Sequence, residues 1–150
     1  MNSTLKKSQT ILITGANKGI GFAIVEALLE RFPETHILFG CRNKNRSAAA
    51  IDRLKSKIPS STGRMDEIIL DVSKQNSIQN AASQIETLLT QRGLRLYGIV
   101  SNAGIMYSPT GVEEVIRVNT LGPKYVLDYF CHLLEPDIGR VVNITSAAGP

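Results

Sequence analysis

The sequence TGANKGIG at residues 14–21 joins two segments of different periodicity. The run TILI at residues 10–13 precedes it and is typical of a buried strand, and apolar side chains recur after it at helical spacing, at positions 20, 24, 27 and 28. Glycines allow the backbone to turn tightly and to approach a ligand. Because a helix N-terminus presents free N–H groups to an anion, we predict a phosphate-binding strand-to-helix turn; the alternative is an ordinary turn before a surface helix.

The composition fits one globular domain or part of one. The 150 residues are 43% hydrophobic and 20% charged, enough for a single core. The formal net charge is +4, but the lysines and arginines are scattered along the sequence and the chain has no tryptophan. We therefore expect no nucleic-acid binding. No apolar run approaches the roughly 18 residues that a membrane span requires. We therefore expect a soluble, cytoplasmic protein with no membrane partner.

The two cysteines, Cys41 and Cys131, are far apart in the sequence. Neither lies in a CxxC motif or at a spacing typical of metal ligands, so the sequence supports neither a disulfide framework nor a metal site. We expect both to be reduced thiols in or near the core.

A basic segment follows the second predicted strand. It reads GCRNKNR at residues 40–46, and no carboxylate lies between Thr35 and Ile51. In dinucleotide-binding units an acidic residue here binds the ribose 2′-hydroxyl of NAD, whereas an arginine accommodates the 2′-phosphate of NADP. Arg42, with Lys18 from the glycine turn, therefore predicts NADP(H). The alternative is that these residues are solvated charges beside a helix start.

Strands and helices alternate along the whole chain. After the first strand and a helix ending near Arg31, we predict strands at residues 36–40, 65–70, 97–100 and 140–145 and helices at residues 47–58, around 78–89 and at 112–134. This alternation predicts an α/β doubly wound parallel sheet with strand order 3-2-1-4-5. Ligands of such sheets lie at the carboxyl ends of the strands, where the glycine turn, Arg42, Asp71 and the turn SNAG at residues 101–104 all fall.

Asp71 and Val72 follow the third predicted strand directly. A carboxylate there can accept a hydrogen bond from the adenine amino group, and Val72 can offer its backbone N–H and side chain to the ring. Alternatively, Asp71 caps the next helix, for which Ser73 and Ser77 are also suitable caps. The residues alone leave both interpretations open.

Five segments together resemble the short-chain dehydrogenase/reductase family. In chain order they are TGANKGIG, DV, SNAG, VNTLG and RVVNITSAAG, and the forms NKGIG and GRVVN are most similar to its carbonyl-reductase branch. The resemblance covers essentially the whole chain and implies a Rossmann-type fold that uses NADP(H) to reduce the carbonyl of a small molecule to an alcohol. The cofactor-binding residues expected from the resemblance and the arguments above are Gly15, Asn17, Lys18, Gly19, Ile20, Gly21, Arg42, Asp71, Val72, Asn102, Ala103 and Gly104.

The resemblance also implies two catalytic residues, Ser146 and Asn119. The Ser146 hydroxyl would bind the substrate carbonyl and stabilise the charge that develops on its oxygen. The Asn119 carbonyl would hold a water of the proton relay. Independently of the family, Pro123 has no N–H for the Asn119 carbonyl, so we expect the helix to kink there. The alternative is that Gly122 and Pro123 merely bend a packed helix.

One part of the family pattern has no match. The family's proton donor is a tyrosine with a lysine four residues on, and none of the four tyrosines here has that spacing. We therefore expect residues 1–150 to form an incomplete NADP-binding Rossmann domain, truncated after the fifth strand, with little or no activity alone. The exposed edge of that strand invites self-association. The alternative is a non-catalytic NADP-binding regulatory module completed by a partner.

Overall fold

A five-stranded parallel sheet forms the centre of the computed structural model, which describes residues 8–146. The strands are β1 Gln9–Thr14, β2 Thr35–Cys41, β3 Met65–Ile69, β4 Leu96–Ser101 and β5 Arg140–Asn143. Their spatial order is β3-β2-β1-β4-β5 and every neighbouring pair is parallel, so the predicted fold class and strand order are confirmed.

Five α-helices connect the strands. They are α1 Gly19–Arg31, α2 Lys44–Lys57, α3 Gln75–Arg92, α4 Val112–Ile116 and α5 Gly122–Phe130, with a π-helical turn Arg117–Leu121 and 3₁₀ turns Pro59–Ser61 and Cys131–Leu133. Within residues 8–146, no helix has both the length and the apolar character that crossing a membrane would require.

Two apolar cores cover the sheet, one on each face. On one face Leu12 and Leu38 pack with α3 and α5, including Phe130. On the other face Ile13 and Phe39 pack with residues of α1 and α2. Successive residues of β1 and β2 therefore enter different cores, as the two-residue repeat of a strand requires. Burial on both faces explains why the central strands are almost continuously apolar.

Helix α2 begins at Lys44 rather than at Ser47 as predicted. The Asn43 side chain accepts a hydrogen bond of 2.9 Å from the Arg46 N–H and so caps the helix. Ser47 instead lies buried inside the first turns. The local cap therefore extends the helix past the apolar pattern that predicted its start.

The helix predicted over residues 112–134 is interrupted. Between α4 and α5 the backbone makes a π turn, closed by the Gly122 N–H donating to the Arg117 carbonyl. Pro123 stands at the start of α5, where its missing N–H is tolerated. A π turn that contains Asn119 thus lies where the sequence predicted a kink.

The cysteines differ in their surroundings. Cys41 is buried in β2, as expected, and both thiols are free. The prediction for Cys131 was wrong, because its side chain is exposed at the start of the 3₁₀ turn after α5. In the same turn Leu133 is buried in the core instead.

Strand β5 lies at one side of the sheet and pairs with β4. Its side chains Val141 and Val142 are 40% and 47% exposed. Among residues 8–146, β5 therefore presents an exposed apolar edge, as the sequence predicted.

Candidate functional site

The turn between β1 and α1 is built by two glycines with positive φ. Gly15 has φ 65° and Gly19 has φ 56°, a region that other residues rarely adopt. A Cβ at Gly15 would also lie 2.9 Å from the Ala103 Cα, so the space there admits no side chain. Lys18 is the N-cap of α1 and makes no side-chain cap hydrogen bond. The helix therefore directs N–H groups with no side-chain cap toward the strand ends, as an anion site requires.

A hydrogen-bonded junction joins this turn to the turn after β4. The buried Thr14 hydroxyl accepts hydrogen bonds of 3.0 Å from the N–H groups of both Asn102 and Ala103. In return, the Asn102 side-chain amide donates to the carbonyls of Thr14 at 3.0 Å and Gly15 at 3.2 Å. The sequence placed the two turns at one edge but did not identify Thr14 as their link. A hydroxyl directly after the apolar residues Ile11, Leu12 and Ile13 was the available signal.

Gly21 serves this junction by its small size. It lies in α1, is buried, and has no positive φ. A Cβ there would come within 2.4 Å of both the Gly15 carbonyl oxygen and the Asn102 Nδ2. Gly21 therefore lets α1 approach the junction closely, a role different from the turn geometry expected of it.

A cleft of about 410 Å³ opens at the carboxyl ends of the strands. All the predicted cofactor residues except Gly21 line it, together with three apolar residues that the prediction lacked, Leu70, Ile105 and Val118. The structure thus brings into one cavity residues that are as far apart in the sequence as Gly15 and Val118. Leu70 and Ile105 follow β3 and β4, and Val118 lies in the π turn. They were missed because they lie outside the polar and glycine-rich motifs from which the site was predicted.

Basic residues outnumber acidic residues in the lining of this strand-end cleft. Lys18 and Arg42 line it, and Asp71 is the one acidic residue among its lining. The Asp71 Oδ1 accepts hydrogen bonds from the Ser73 N–H at 3.0 Å and the Ser73 hydroxyl at 2.7 Å, and its Oδ2 lies 3.7 Å from the Lys74 Nζ. The carboxylate is therefore already partnered, and the cleft is suited to a negatively charged ligand.

The alternative that Asp71 caps α3 was wrong, and neither Ser73 nor Ser77 is the N-cap. Lys74 is the N-cap residue of α3 and makes no side-chain cap bond. Ser77 accepts a hydrogen bond of 3.0 Å from the Asp71 N–H through its hydroxyl. The polar side chains thus order the loop between β3 and α3 and leave Asp71 and Val72 facing the cleft.

Asn119 lies in the π turn and faces the loop after β4. Its side chain accepts a hydrogen bond of 2.9 Å from the Ile105 N–H and donates one of 2.7 Å to the Ile105 carbonyl. These two hydrogen bonds fix the position of Ile105, which follows Gly104 in the wall of the cleft. The sequence singled out only the Asn119 backbone carbonyl and missed this use of the side chain.

Ser146 lies beyond the end of β5 and is exposed. The Ile144 N–H donates to the Ser101 carbonyl at 3.0 Å, so the pairing with β4 continues past the last strand residue. Ser146 therefore emerges at the same edge of the sheet as the SNAG turn. Its catalytic role, like that of Asn119, stays a prediction.

A family model and several curated proteins match this chain. A family model described as short chain dehydrogenase matches residues 9–150. The chain is 32% identical to bovine mitochondrial D-beta-hydroxybutyrate dehydrogenase, with 95% of this chain and 42% of the relative covered. It is 31% identical to human retinol dehydrogenase 5, with 93% and 43% covered. The chain thus spans less than half the length of these curated relatives.

Solved structures share the fold. The NADPH-bound carbonyl reductase from chicken fatty liver superposes with a TM-score of 0.77 at 26% identity, covering 95% of this chain and 58% of that one. An alcohol dehydrogenase from the archaeon Thermococcus sibiricus, complexed with 5-hydroxy-NADP, gives 0.76 at 28% identity, covering 95% and 61%.

Proposed function

The chain belongs to the short-chain dehydrogenase family, and we propose that it forms the NADP(H)-binding part of a carbonyl reductase. The observation that carries this proposal is the strand-end cleft, which combines a glycine turn at a helix N-terminus with Lys18 and Arg42. The solved relatives that bind NADPH and 5-hydroxy-NADP support the phosphorylated form of the cofactor.

The residues of the cleft fit a dinucleotide. The glycine turn would hold the pyrophosphate, since its backbone can approach closely and faces a helix N-terminus. Arg42 and Lys18 would pair with the 2′-phosphate, and the partnered Asp71 adds no free carboxylate to repel it. Asp71, Val72 and the SNAG turn would enclose the adenine and its ribose.

The reaction would be transfer of a hydride to a carbonyl, with NADPH as the hydride source. The Ser146 hydroxyl would donate a hydrogen bond to the carbonyl oxygen and stabilise its developing charge. A proton must also reach that oxygen, and no tyrosine among the 150 residues is followed by a lysine four positions on. We propose that these residues alone bind NADP(H) and turn over little or no substrate.

The proposal is tested by titrating the chain with NADPH and with NADH, followed by cofactor fluorescence. We expect the wild type to prefer NADPH and Arg42→Gln to bind NADPH about 10- to 100-fold more weakly, the loss typical of a hydrogen bond to a charged group. Affinity for NADH should stay nearly constant, because NADH has no 2′-phosphate. Arg46→Gln is the matched control, since Arg46 is an exposed arginine nearby that does not line the cleft. Equal affinities of the wild type for the two cofactors would contradict the assignment.

The second candidate, a non-catalytic NADP-binding module completed by a partner, is favoured by the exposed side chains of β5. Self-association through this edge would be one form of it, measured by sedimentation at several concentrations. A longer form that continues into a YxxxK motif and reduces carbonyls would decide for the reductase. The small-molecule substrate and the cytoplasmic location stay predictions.

A further inference from the structure

The loop of residues 105–111 continues the wall of the cleft toward α4. At its beginning, Ile105 lines the cleft and is held by the Asn119 side chain through two hydrogen bonds. At its end, Gly111 has φ 106° and turns the chain into α4. We call residues 105–111 the wall loop.

A second attachment point comes from Glu114 in the first turn of α4. Its carboxylate oxygen Oε2 accepts hydrogen bonds from the hydroxyls of both Ser108 and Thr110. Ser108 is buried, whereas Glu114 lies near the surface. The hydrogen bond from Ser108 and then that from Thr110 lower the pKa of Glu114, so the side chain is ionised at neutral pH and accepts both.

Apolar packing does not hold residues 106 and 107 of the wall loop. Met106 is 96% exposed and Tyr107 is 79% exposed. A loop whose apolar side chains remain in water gains little order from burial. The position of the wall loop therefore depends on its polar attachments, which hold Ile105 at its start and Ser108 and Thr110 further on. The Thr110 and Gly111 N–H groups also donate to the Ser108 hydroxyl and carbonyl, so the second half of the loop moves with Ser108.

We propose that Glu114 is a positioning residue for cofactor binding. By holding Ser108 and Thr110, its carboxylate keeps the wall loop ordered before the ligand arrives, so that Gly104 and Ile105 stay in place as cleft wall. This inference rests on the proposed cofactor function of the cleft. Glu114 itself does not line the cleft, so it acts through the loop.

The expected effect differs from that of Arg42. If the loop loses its attachment, binding must order it, and ordering the backbone of one residue weakens affinity by about 5- to 30-fold. Since NADPH and NADH share the part of the molecule that this wall would contact, both should weaken. The Glu114 carboxylate also attracts Arg42. A change confined to NADPH and equally large in Glu114→Gln would therefore report that attraction, and not the loop. Loss of Arg42 should instead affect NADPH alone.

The experiment compares Glu114→Ala and Glu114→Gln with wild type and with Glu113→Ala. Glu113 is the exposed neighbour in the same helical turn and provides the matched loss of charge. Hydrogen exchange of the amides of residues 106–110 is measured without ligand, and the dissociation constants of NADPH and NADH are measured by fluorescence. A melting temperature for each variant reports global folding.

We expect Glu114→Ala to accelerate exchange in the wall loop and to weaken both cofactors by about 5- to 30-fold. Glu114→Gln keeps an acceptor oxygen and should restore most of the affinity, and Glu113→Ala should match the wild type. Unchanged exchange or unchanged affinity in Glu114→Ala, with normal binding by the wild type, overturns this inference alone. A wild type that binds neither cofactor overturns the proposed function as well, and the exchange data then still report whether Glu114 holds the loop.

Discussion

Replacing Thr14 by valine keeps the shape of a buried side chain and removes one oxygen. That oxygen accepts hydrogen bonds from the N–H groups of Asn102 and Ala103, each at 3.0 Å. In Thr14→Val both partly buried donors lose the acceptor that the buried Thr14 side chain supplies. An unsatisfied buried polar group costs about 1–3 kcal/mol, and the added methyl group returns about 1 kcal/mol. The variant should therefore lose about 3 kcal/mol of its free energy of unfolding, within a range of about 1–5 kcal/mol.

Urea unfolding followed by circular dichroism measures this loss, provided that the slope of the free energy with urea is unchanged. Thr14→Ser is the matched control, because it keeps the hydroxyl and loses only a methyl group, at about 1 kcal/mol. NADPH affinity should fall in the valine variant and not in the serine variant, since Ala103 and Gly104 line the cleft. If Thr14→Val is no less stable than Thr14→Ser, the junction does not depend on the hydroxyl and the reasoning fails.

Gly21→Ala should destabilise the protein by about 1–3 kcal/mol and weaken NADPH binding, because the new Cβ meets the Gly15 carbonyl and the Asn102 amide at 2.4 Å; an unchanged melting temperature would show that α1 can move away freely. Burial of the Asp66 carboxyl opposes its ionisation, but hydrogen bonds from Arg92 and His36, and attraction to both, outweigh this and hold its pKa below the usual value. The contribution of this carboxylate to stability is thus present above about pH 4 and is lost as the pH falls through the lowered pKa, so Asp66→Asn should flatten the acid side of a stability profile measured from pH 7 downward. An acid side as steep as that of the wild type would assign the pH dependence to other carboxylates.

Most of the fold could be predicted because its signals are local. The change from a strand-like run to helical spacing at TGANKGIG marks β1 and α1, and Gly93 ends α3 with φ 61° as a helix C-terminus commonly does. The errors occur where one side chain overrides the periodic pattern. Asn43 caps α2 early, and in the 3₁₀ turn after α5 Leu133 is buried while Cys131 is exposed.

The candidate site was predictable only in part. Residues at strand ends must converge in a parallel sheet, so the glycine turn, Arg42 and Asp71 could be placed together from the order of the elements. The attachment of the wall loop to Glu114 could not be predicted from the sequence. A bond between Glu114 and Ser108 follows from the path of an irregular loop, and no period in the sequence reports that path.

The shape of the cleft and its preference between NADPH and NADH therefore depend on different residues, and substitutions can distinguish the two. The shape that receives a dinucleotide is made by backbone, held by buried groups such as the Thr14 hydroxyl and by the absence of a side chain at Gly21. The preference between NADPH and NADH is proposed to depend on Lys18 and Arg42, whose side chains are exposed and contribute little to packing. Changes at Thr14 should consequently alter stability and the affinity for both cofactors together. Changes at Arg42 should alter selectivity with stability kept within about 0.5 kcal/mol of the wild type, as surface substitutions usually do. Loss of stability and loss of selectivity that always occurred together would mean that the phosphate-binding charges are part of the core structure, contrary to the geometry of this cleft.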